Sequence, residues 1–419
     1  MELKKQITRT AQKALSASRS LSNLASSEKD RILVEMAENL KGQKEQILKA
    51  NKKDIAAARV SRLSEAFIDR LALNEKRIED MVNGLLGLVR LTDPVGEEIK
   101  AWDVPSGLHI HKMRVPIGVI AIIYESRPNV TADCIGLAFK SGNSVILRGG
   151  SESLNSNIAI FKALDAVVKK NNLPPGTINI ITTKDRQAIN ILLKLNDYID
   201  LVIPRGGEAL IKKVTALSRI PVIKHYKGIC HVYVDDYADL NMAEKVCFNA
   251  KVQRPGVCNA MESMLIHRDV AARFLPGMLK KFKEAGVEIR GCPFTRKISK
   301  EGIQKAKDAD YRTEYSDLIL AVKVVASLEE AIRHINKYGS HHSDSIITDD
   351  DNSAREFLKK VDSACVYVNA STRFTDGYQF GLGAEIGIST DKLHARGPMA
   401  LEELTSYKYA IWGSGQVRE

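Results

Sequence analysis

An α/β fold with two α/β domains and parallel-rich sheets is the architecture that this 419-residue sequence predicts, on three observations. From 116 to 217, short continuously apolar strands alternate with amphipathic helices, the pattern of a parallel sheet covered on both faces. A second alternating block runs from 231 to 369. Before, between and after these blocks the apolar period changes, which sets off a helical leader and a strand-forming excursion.

From Glu2 to Leu91 apolar residues recur at three and four, as in Ile32, Leu33, Met36, Ala37 and Leu40, predicting several amphipathic helices. The basic, Ser-rich start has some character of a mitochondrial presequence, but Glu2, Glu28, Asp30 and the continuing periodicity favour a folded helix. The period breaks at Asp93-Pro94-Val95-Gly96, and 97–102 and 108–115 then read as two strands joined through Pro105-Ser106-Gly107. His109 and His111 share one face of the second strand; they read as solvated side chains of an edge strand, and no metal is expected. The first block places strands at 119–123, 144–147, 177–181 and 201–203, with helices at 130–140, 157–170, 186–193 and 208–217. The second places strands at 231–234, 263–266, 318–325, 345–348 and 364–369, with helices at 240–252, 328–338 and 353–360. Gly381-Leu382-Gly383 has the opening of a dinucleotide fingerprint but no helical pattern after it, so it reads as a turn. The tail at 401–412 reads as a helix start and a strand that pairs with the 97–115 excursion or with another subunit.

Composition removes several function classes. The charge sum, 62 Lys+Arg against 51 Asp+Glu, is +11, and the basic residues are spread along the chain rather than gathered in an arm. That spread suits small anionic ligands and gives no nucleic-acid module. Six cysteines, 134, 230, 247, 258, 292 and 365, are widely spaced without a C-x-x-C pair, as in a cytoplasmic protein with reduced thiols. The longest apolar run, 115–124, is interrupted by Pro116 and falls well short of the roughly 20 residues that span a bilayer, so no membrane segment is expected.

Ligands of parallel sheets sit beyond the carboxyl ends of the strands. Three such loops carry cations or glycines suited to anions: Arg127 in 124–129, Arg148 with Gly149, Gly150 and Ser151, and Arg205 with Gly206 and Gly207 at the start of a helix. The second block holds a different feature, the run Gln253-Arg254-Pro255-Gly256-Val257-Cys258-Asn259-Ala260. It sets one thiol in a Pro-Gly turn between a helix and a strand, with Arg254 and the turn amides able to favour the thiolate. From these residues alone Cys258 is either a nucleophile or a small core hydrophobe. The other five cysteines, on apolar helix faces, in or beside strands, or in a Gly-Cys-Pro loop, read as structural.

The order and spacing of Pro116-Ile117-Gly118-Val119-Ile120-Ala121-Ile122-Ile123, Gly142-Asn143-Ser144-Val145-Ile146-Leu147-Arg148 and the cysteine loop resemble the aldehyde dehydrogenase superfamily. Tyr124-Glu125-Ser126-Arg127-Pro128-Asn129-Val130-Thr131, with Ala331-Ile332, His334-Ile335, Tyr338-Gly339-Ser340 and His342-Ser343-Asp344, resemble its branch that reduces an acyl phosphate. The resemblance covers nearly the whole chain. It implies an aldehyde dehydrogenase-like fold with an NADP-binding domain at 1–96 and 116–228, a catalytic domain at 229–369, an oligomerisation flap at 97–115 and 386–419, and a return connection at 370–385.

The resemblance also implies reduction of L-glutamyl 5-phosphate by NADPH, in proline biosynthesis, through a thioester on Cys258. It makes Asn129 the nearest match to the second oxyanion donor, two positions late, beside the Cys258 amide. His225 stands where hydrolytic members carry a glutamate base; its loss would spare the thioester from water, and His225 itself either assists protonation or is structural. Arg148, Gly149, Gly150 and Ser151 replace a Lys-Pro-Ser-Glu loop, which favours a 2′-phosphate over a bare ribose. Glu314 matches the glutamate that holds the nicotinamide ribose, without the usual Phe-Gly-Pro after it. Arg127 and Arg254 are the nearest cations for the leaving phosphate or the substrate α-carboxylate. A homo-oligomer, at least a dimer, and contact with a glutamate 5-kinase complete the expectation. The competing readings are a hydrolytic aldehyde dehydrogenase and a non-catalytic scaffold of the same fold.

Overall fold

A computed structural model describes residues 1–224, 226–299 and 302–418. The chain divides into two compact units: Met1–Lys224, Gly381–Gly387 and Met399–Glu419 form one, His225–Phe380 and Ile388–Pro398 the other. The first opens with five helices, α1 Glu2–Leu21, α2 Ser26–Gly42, α3 Lys44–Val60, α4 Glu65–Leu71 and α5 Glu75–Val89. In α1 the buried residues Ile7, Ala11, Ala14, Ala17 and Leu21 recur at three and four, so one narrow, small-residue stripe meets the sheet. Lys29 of α2 is buried against Asp93 at 2.7 Å and donates to the Lys140 carbonyl at 3.2 Å, fixing the helical leader where the sequence period breaks.

Two antiparallel strands follow, β1 Glu98–Asp103 and β2 His109–Pro116, with Trp102 opposite Ile110. The C-terminal strand Thr405–Trp412 pairs antiparallel with the other edge of β2, as the 401–412 pattern suggested. His109 and His111 each face a carboxylate of β1, Asp103 and Glu98.

The first parallel sheet is built from β3 Val119–Tyr124, β4 Ser144–Arg148, β5 Ile178–Ile180 and β6 Leu201–Arg205, in the order β5-β4-β3-β6. Helices α6 Val130–Lys140, α7 Leu154–Lys170, α8 Gln187–Leu192 and α9 Glu208–Leu217 connect the strands. Val119, Ala121 and Ile123, alternate residues of β3, join one core with Ile7, Ala11 and Ala14 of α1. The order reverses at β3, between β4 and β6, which makes the carboxyl end of β3 the switch point of the sheet.

The second unit carries β7 Cys230–Val234, α10 Leu240–Val252, β8 Met261–His267, α11 Arg268–Glu284, β9 Glu288–Gly291, α12 Pro293–Ile298, β10 Ile303–Lys305, β11 Ile319–Val325, α13 Leu328–Tyr338, β12 Ser343–Ile347, α14 Asp351–Lys360 and β13 Cys365–Val368. These seven strands form one parallel sheet in the order β10-β9-β11-β8-β7-β12-β13, and Ile388–Ser389 with Gly397–Pro398 add a short antiparallel pair. The sequence reading placed no helix or strand between 267 and 317, yet α11, β9, α12 and β10 lie there. Helix α11 presents Val270, Ala271, Phe274, Leu275, Met278, Leu279 and Phe282 to the core, with Pro276 in its interior and Gly277 after it, two residues that weaken the helical signal of the sequence.

Gly176 has φ +105°, and a Cβ there would lie 2.4 Å from the Lys13 carbonyl oxygen of α1. Gly176→Ala is therefore expected to destabilise the first unit by about 2 kcal/mol or more, read as a lowered unfolding midpoint, because both the backbone and α1 must shift.

Candidate active site

The three predicted anion loops of the first unit come together at the switch point. A Cβ on Gly150 would lie 2.1 Å from Ser126 Oγ, so the loop after β4 approaches the loop after β3 as only glycine permits. Ser126 and Ser151 donate to the two oxygens of Glu152, at 2.6 and 2.8 Å. Burial pushes that carboxyl up, but the Ser126 and Ser151 hydroxyls and Arg148 outweigh it and hold it below the usual carboxylate range. Arg148 is 6% exposed; Nη1 donates to Gly149 O at 2.5 Å, Nη2 reaches Lys184 O at 3.5 Å, and Nε is buried with no partner. Burial, ahead of the other charges, lowers its pKa. Lys184 and Arg186, which the sequence reading did not single out, add exposed cations beyond β5.

At the start of α9 the anion position predicted for Gly206 and Gly207 already has an occupant. The Gly207 N–H donates to Glu125 Oε1 at 2.8 Å, and a Cβ on Gly206 would strike the same carboxylate at 2.6 Å. Arg205 ends β6 and acts electrostatically on Asp133. Asn129 is exposed at the N-cap of α6, its Nδ2 3.4 Å from Asp133 Oδ2, and Arg127 is exposed two residues earlier. Burial lifts the Asp133 carboxyl to about 6, with Asn129 and Arg205 acting the other way.

In the second unit Cys258 sits at the amino end of the sheet, not at a carboxyl end. The loop 253–260 leaves α10 and enters β8, so the thiol lies at the end of the sheet where β8 and its parallel neighbour β7 start. Cys258 is a free, partly exposed thiol, whereas the other five cysteines are buried. Its backbone is gripped from below. A Cβ on Gly228 would lie 2.0 Å from the Cys258 carbonyl oxygen, and Cys230 Sγ donates to that oxygen at 3.2 Å. Burial pushes the Cys230 thiol well above its ordinary value, so it serves as a neutral donor. Asn259 is buried, and Nδ2 donates to Thr375 O at 2.8 Å while its own carbonyl accepts from Thr372 Oγ1 at 2.8 Å. Ser343, Tyr367 and Thr375 share hydroxyl contacts of 2.6 and 2.7 Å behind this turn, which gives the His342-Ser343-Asp344 motif a structural role. Asp344 itself holds the His231 ring at 2.9 Å, both fully buried.

The ends of the thiol loop are joined by a feature the sequence reading missed. Lys251 of α10 and Glu262 of β8 form a 2.7 Å ion pair, 0% and 1% exposed. Burial pushes the Glu262 carboxyl up to about 7 and the Lys251 ammonium down, each against the attraction of the other. Glu262 Oε1 also accepts from Ser316 N at 3.0 Å, where the chain turns through a left-handed φ of +53° two residues past Glu314. The cysteine loop and the predicted ribose-binding loop therefore hang on one buried pair. Arg254 is exposed beside the thiol, and His225 lies outside the described residues.

Two α/β units with parallel sheets and glycine loops at the switch point of the first define an aldehyde dehydrogenase-like fold. The chain belongs to the aldehyde dehydrogenase family, whose model matches residues 2–299. It is 56% identical to a gamma-glutamyl phosphate reductase of Thermodesulfovibrio yellowstonii and 55% identical to one of Halothermothrix orenii, in both cases over the full length of both chains. The crystal structure of gamma-glutamyl phosphate reductase from Thermotoga maritima superposes with a TM-score of 0.96 at 47% identity, covering 99% of this chain and 100% of that one.

Removing one partner of the buried pair strands the other's charge. Glu262→Gln is expected to cost about 3–5 kcal/mol in denaturant unfolding, and Lys251→Met with Glu262→Leu should recover most of it. Asp133 predicts a pH effect of defined sign. Its carboxyl is raised from 3.8 to about 6, so its contribution is full below pH 3.8 and lost as pH rises through 6. Asp133→Asn should be the more stable protein at pH 7, by about 1–2 kcal/mol, and the difference should vanish near pH 4.

Proposed function

We propose that the protein reduces L-glutamyl 5-phosphate to L-glutamate 5-semialdehyde with release of phosphate, using NADPH and a thioester on Cys258, as the second step of proline biosynthesis from glutamate. The observation that carries this reading is the single accessible thiol, braced from both sides of its loop, in a chain that matches gamma-glutamyl phosphate reductases end to end. The Cys258 sulfur attacks the acyl carbon, the carbon–oxygen bond to phosphate breaks, and phosphate leaves with the bonding pair. A nicotinamide cofactor, when bound, supplies the hydride that reduces the acyl carbon. The sulfur then departs as thiolate, stabilised for a second turnover, and the aldehyde is released. The Cys258 N–H and Asn129 are the donors proposed for the oxygen that gains charge in both steps.

The first unit is the proposed nucleotide-binding part. Its buried, partnerless Arg148 Nε, the glycine pair at 149–150 and the cations Lys184 and Arg186 suit a phosphate-bearing dinucleotide, and Glu152 is kept from the ribose by Ser126 and Ser151. Arg205, Gly206 and Gly207 would take the remaining phosphate charge with Glu125 displaced, and Glu314 the nicotinamide ribose. Arg254 and Arg127 are proposed to meet the substrate's anionic groups. A homo-oligomer is proposed from the three-stranded flap: its edge strand exposes Tyr407, Tyr409 and Ile411 on one face, each at least 50% exposed, beside an unpaired edge. Among the described residues no helix is long and apolar enough to cross a membrane.

Oxidation of semialdehyde with NADP⁺ should depend strictly on phosphate or arsenate, and Cys258→Ala should abolish turnover in both directions. Phosphate-independent oxidation would point to a hydrolytic dehydrogenase, and turnover surviving in Cys258→Ala would remove the thioester route. NADPH should be preferred to NADH in kcat/KM, with the preference reduced in Arg148→Ala.

A further inference from the structure

Arg373 is a cation that the fold brings to the thiol loop from over a hundred residues away in sequence. It lies in the single turn Thr372–Phe374 after β13, with Ser371 Oγ accepting from its N–H at 3.3 Å. Its guanidinium is held from both sides of Cys258. Nε donates to Gln253 Oε1 at 2.9 Å, and Nη1 donates to Asn259 Oδ1. Asn259 Nδ2 in turn reaches the Arg373 carbonyl at 3.4 Å. Among the described residues Nη2 has no protein acceptor. A cavity of about 270 Å³ opens at this guanidinium, lined by Asn249, Gln253, Arg373, Phe374, Asp376 and Gln379.

A second cation, Arg254, acts on Arg373. Burial first and Arg254 next lower the Arg373 pKa, while Cys258 and Asp376 act the other way. Asp376 offsets part of that repulsion at a distance, but among the described residues it makes no ion pair with Arg373, and its Oδ1 accepts the backbone N–H groups of Tyr378 and Gln379 at 3.0 and 3.3 Å. The fixed Arg373 and the exposed Arg254 repel in the free protein, and a dianion between them converts that repulsion into attraction. An acyl phosphate delivers such a dianion here, since its phosphoryl oxygen is bonded to the carbon that the sulfur attacks. The α-carboxylate lies at the far end of the substrate's carbon chain.

We infer that Arg373, together with Arg254, forms the phosphate subsite: it binds the phosphoryl group of the acyl phosphate and, in reverse, the inorganic phosphate that cleaves the thioester. In the forward step the sulfur–carbon bond forms, the carbon–oxygen bond breaks, and the bonding pair moves onto the phosphate oxygen facing the guanidinium. No proton is required from either arginine. The inference rests on the acyl-phosphate activity proposed above.

The test is the reverse reaction, semialdehyde with NADP⁺ and inorganic phosphate, in wild type, Arg373→Gln and Arg373→Lys. The KM for phosphate should rise by about tenfold or more in Arg373→Gln, the loss expected for a hydrogen bond to a charged group, and by less in Arg373→Lys. The KM values for NADP⁺ and semialdehyde should stay within about twofold. An unchanged phosphate KM overturns the inference, whether the semialdehyde KM rises instead, placing the guanidinium on the α-carboxylate, or only the pH profile of Cys258 alkylation moves. Should Arg373→Gln fail to fold, protection decides: inorganic phosphate should slow iodoacetamide alkylation of Cys258 in wild type and less so in Arg373→Lys, and equal or absent protection overturns the inference. Absence of wild-type turnover with phosphate would strike the underlying activity alone, since protection still reads the subsite.

Discussion

The buried Lys251–Glu262 pair is the constraint on which the thiol loop of the second unit depends. It joins the last turn of α10 to the start of β8 at 2.7 Å with almost no solvent, so the eight residues between them form a closed loop whose ends cannot separate. A buried pair is weak evidence for net stability, because desolvation offsets the attraction. Its value here is registry. The free oxygen of Glu262 takes the Ser316 N–H, so the turn after Glu314 is located by the same carboxylate that locates Cys258. Within the loop, the close approach of Gly228 and the buried side chain of Asn259 set the remaining degrees of freedom of the thiol.

Both units use a repeated device: short polar side chains hold charged ones, and glycine allows the backbones to meet. In the first unit Ser126 and Ser151 hold Glu152, and Glu125 holds the Gly207 N–H at the head of α9. In the second, Gln253 and Asn259 hold Arg373, and Ser363 donates to Asp344 at 2.5 Å. Charges fixed in this way lose little orientational freedom when a ligand arrives, which is the condition for electrostatic stabilisation of a transition state.

Much of the fold was legible because the signal is local. The helices at 130–140, 208–217, 240–252 and 328–338 coincide with their predicted bounds, since apolar period and flanking turns define them without reference to the rest of the chain. The region of α11 was not read because Pro276 and Gly277 punctuate an otherwise regular stripe. The same limit applies to the site. Cys258 in its Pro-Gly turn is a local motif, and the pair 251 and 262 flanks it closely enough that a buried Lys opposite a buried Glu was a findable signal. Arg373 was not findable, because its partners Gln253 and Asn259 lie 120 and 114 residues away. Glu125 at the α9 terminus, 82 residues from Gly207, was hidden for the same reason, and it changes what an anion at that helix must displace.

The central claim is that the Cys258 sulfur carries the substrate's acyl group after phosphate has left. The most direct measurement is mass spectrometry of the acid-quenched protein after mixing with freshly generated glutamyl phosphate in the absence of a nicotinamide reductant. The account predicts a glutamyl adduct on the peptide containing Cys258, removed by hydroxylamine and accompanied by release of phosphate. Phosphate release without any adduct on that peptide, or an adduct on another cysteine, would contradict it.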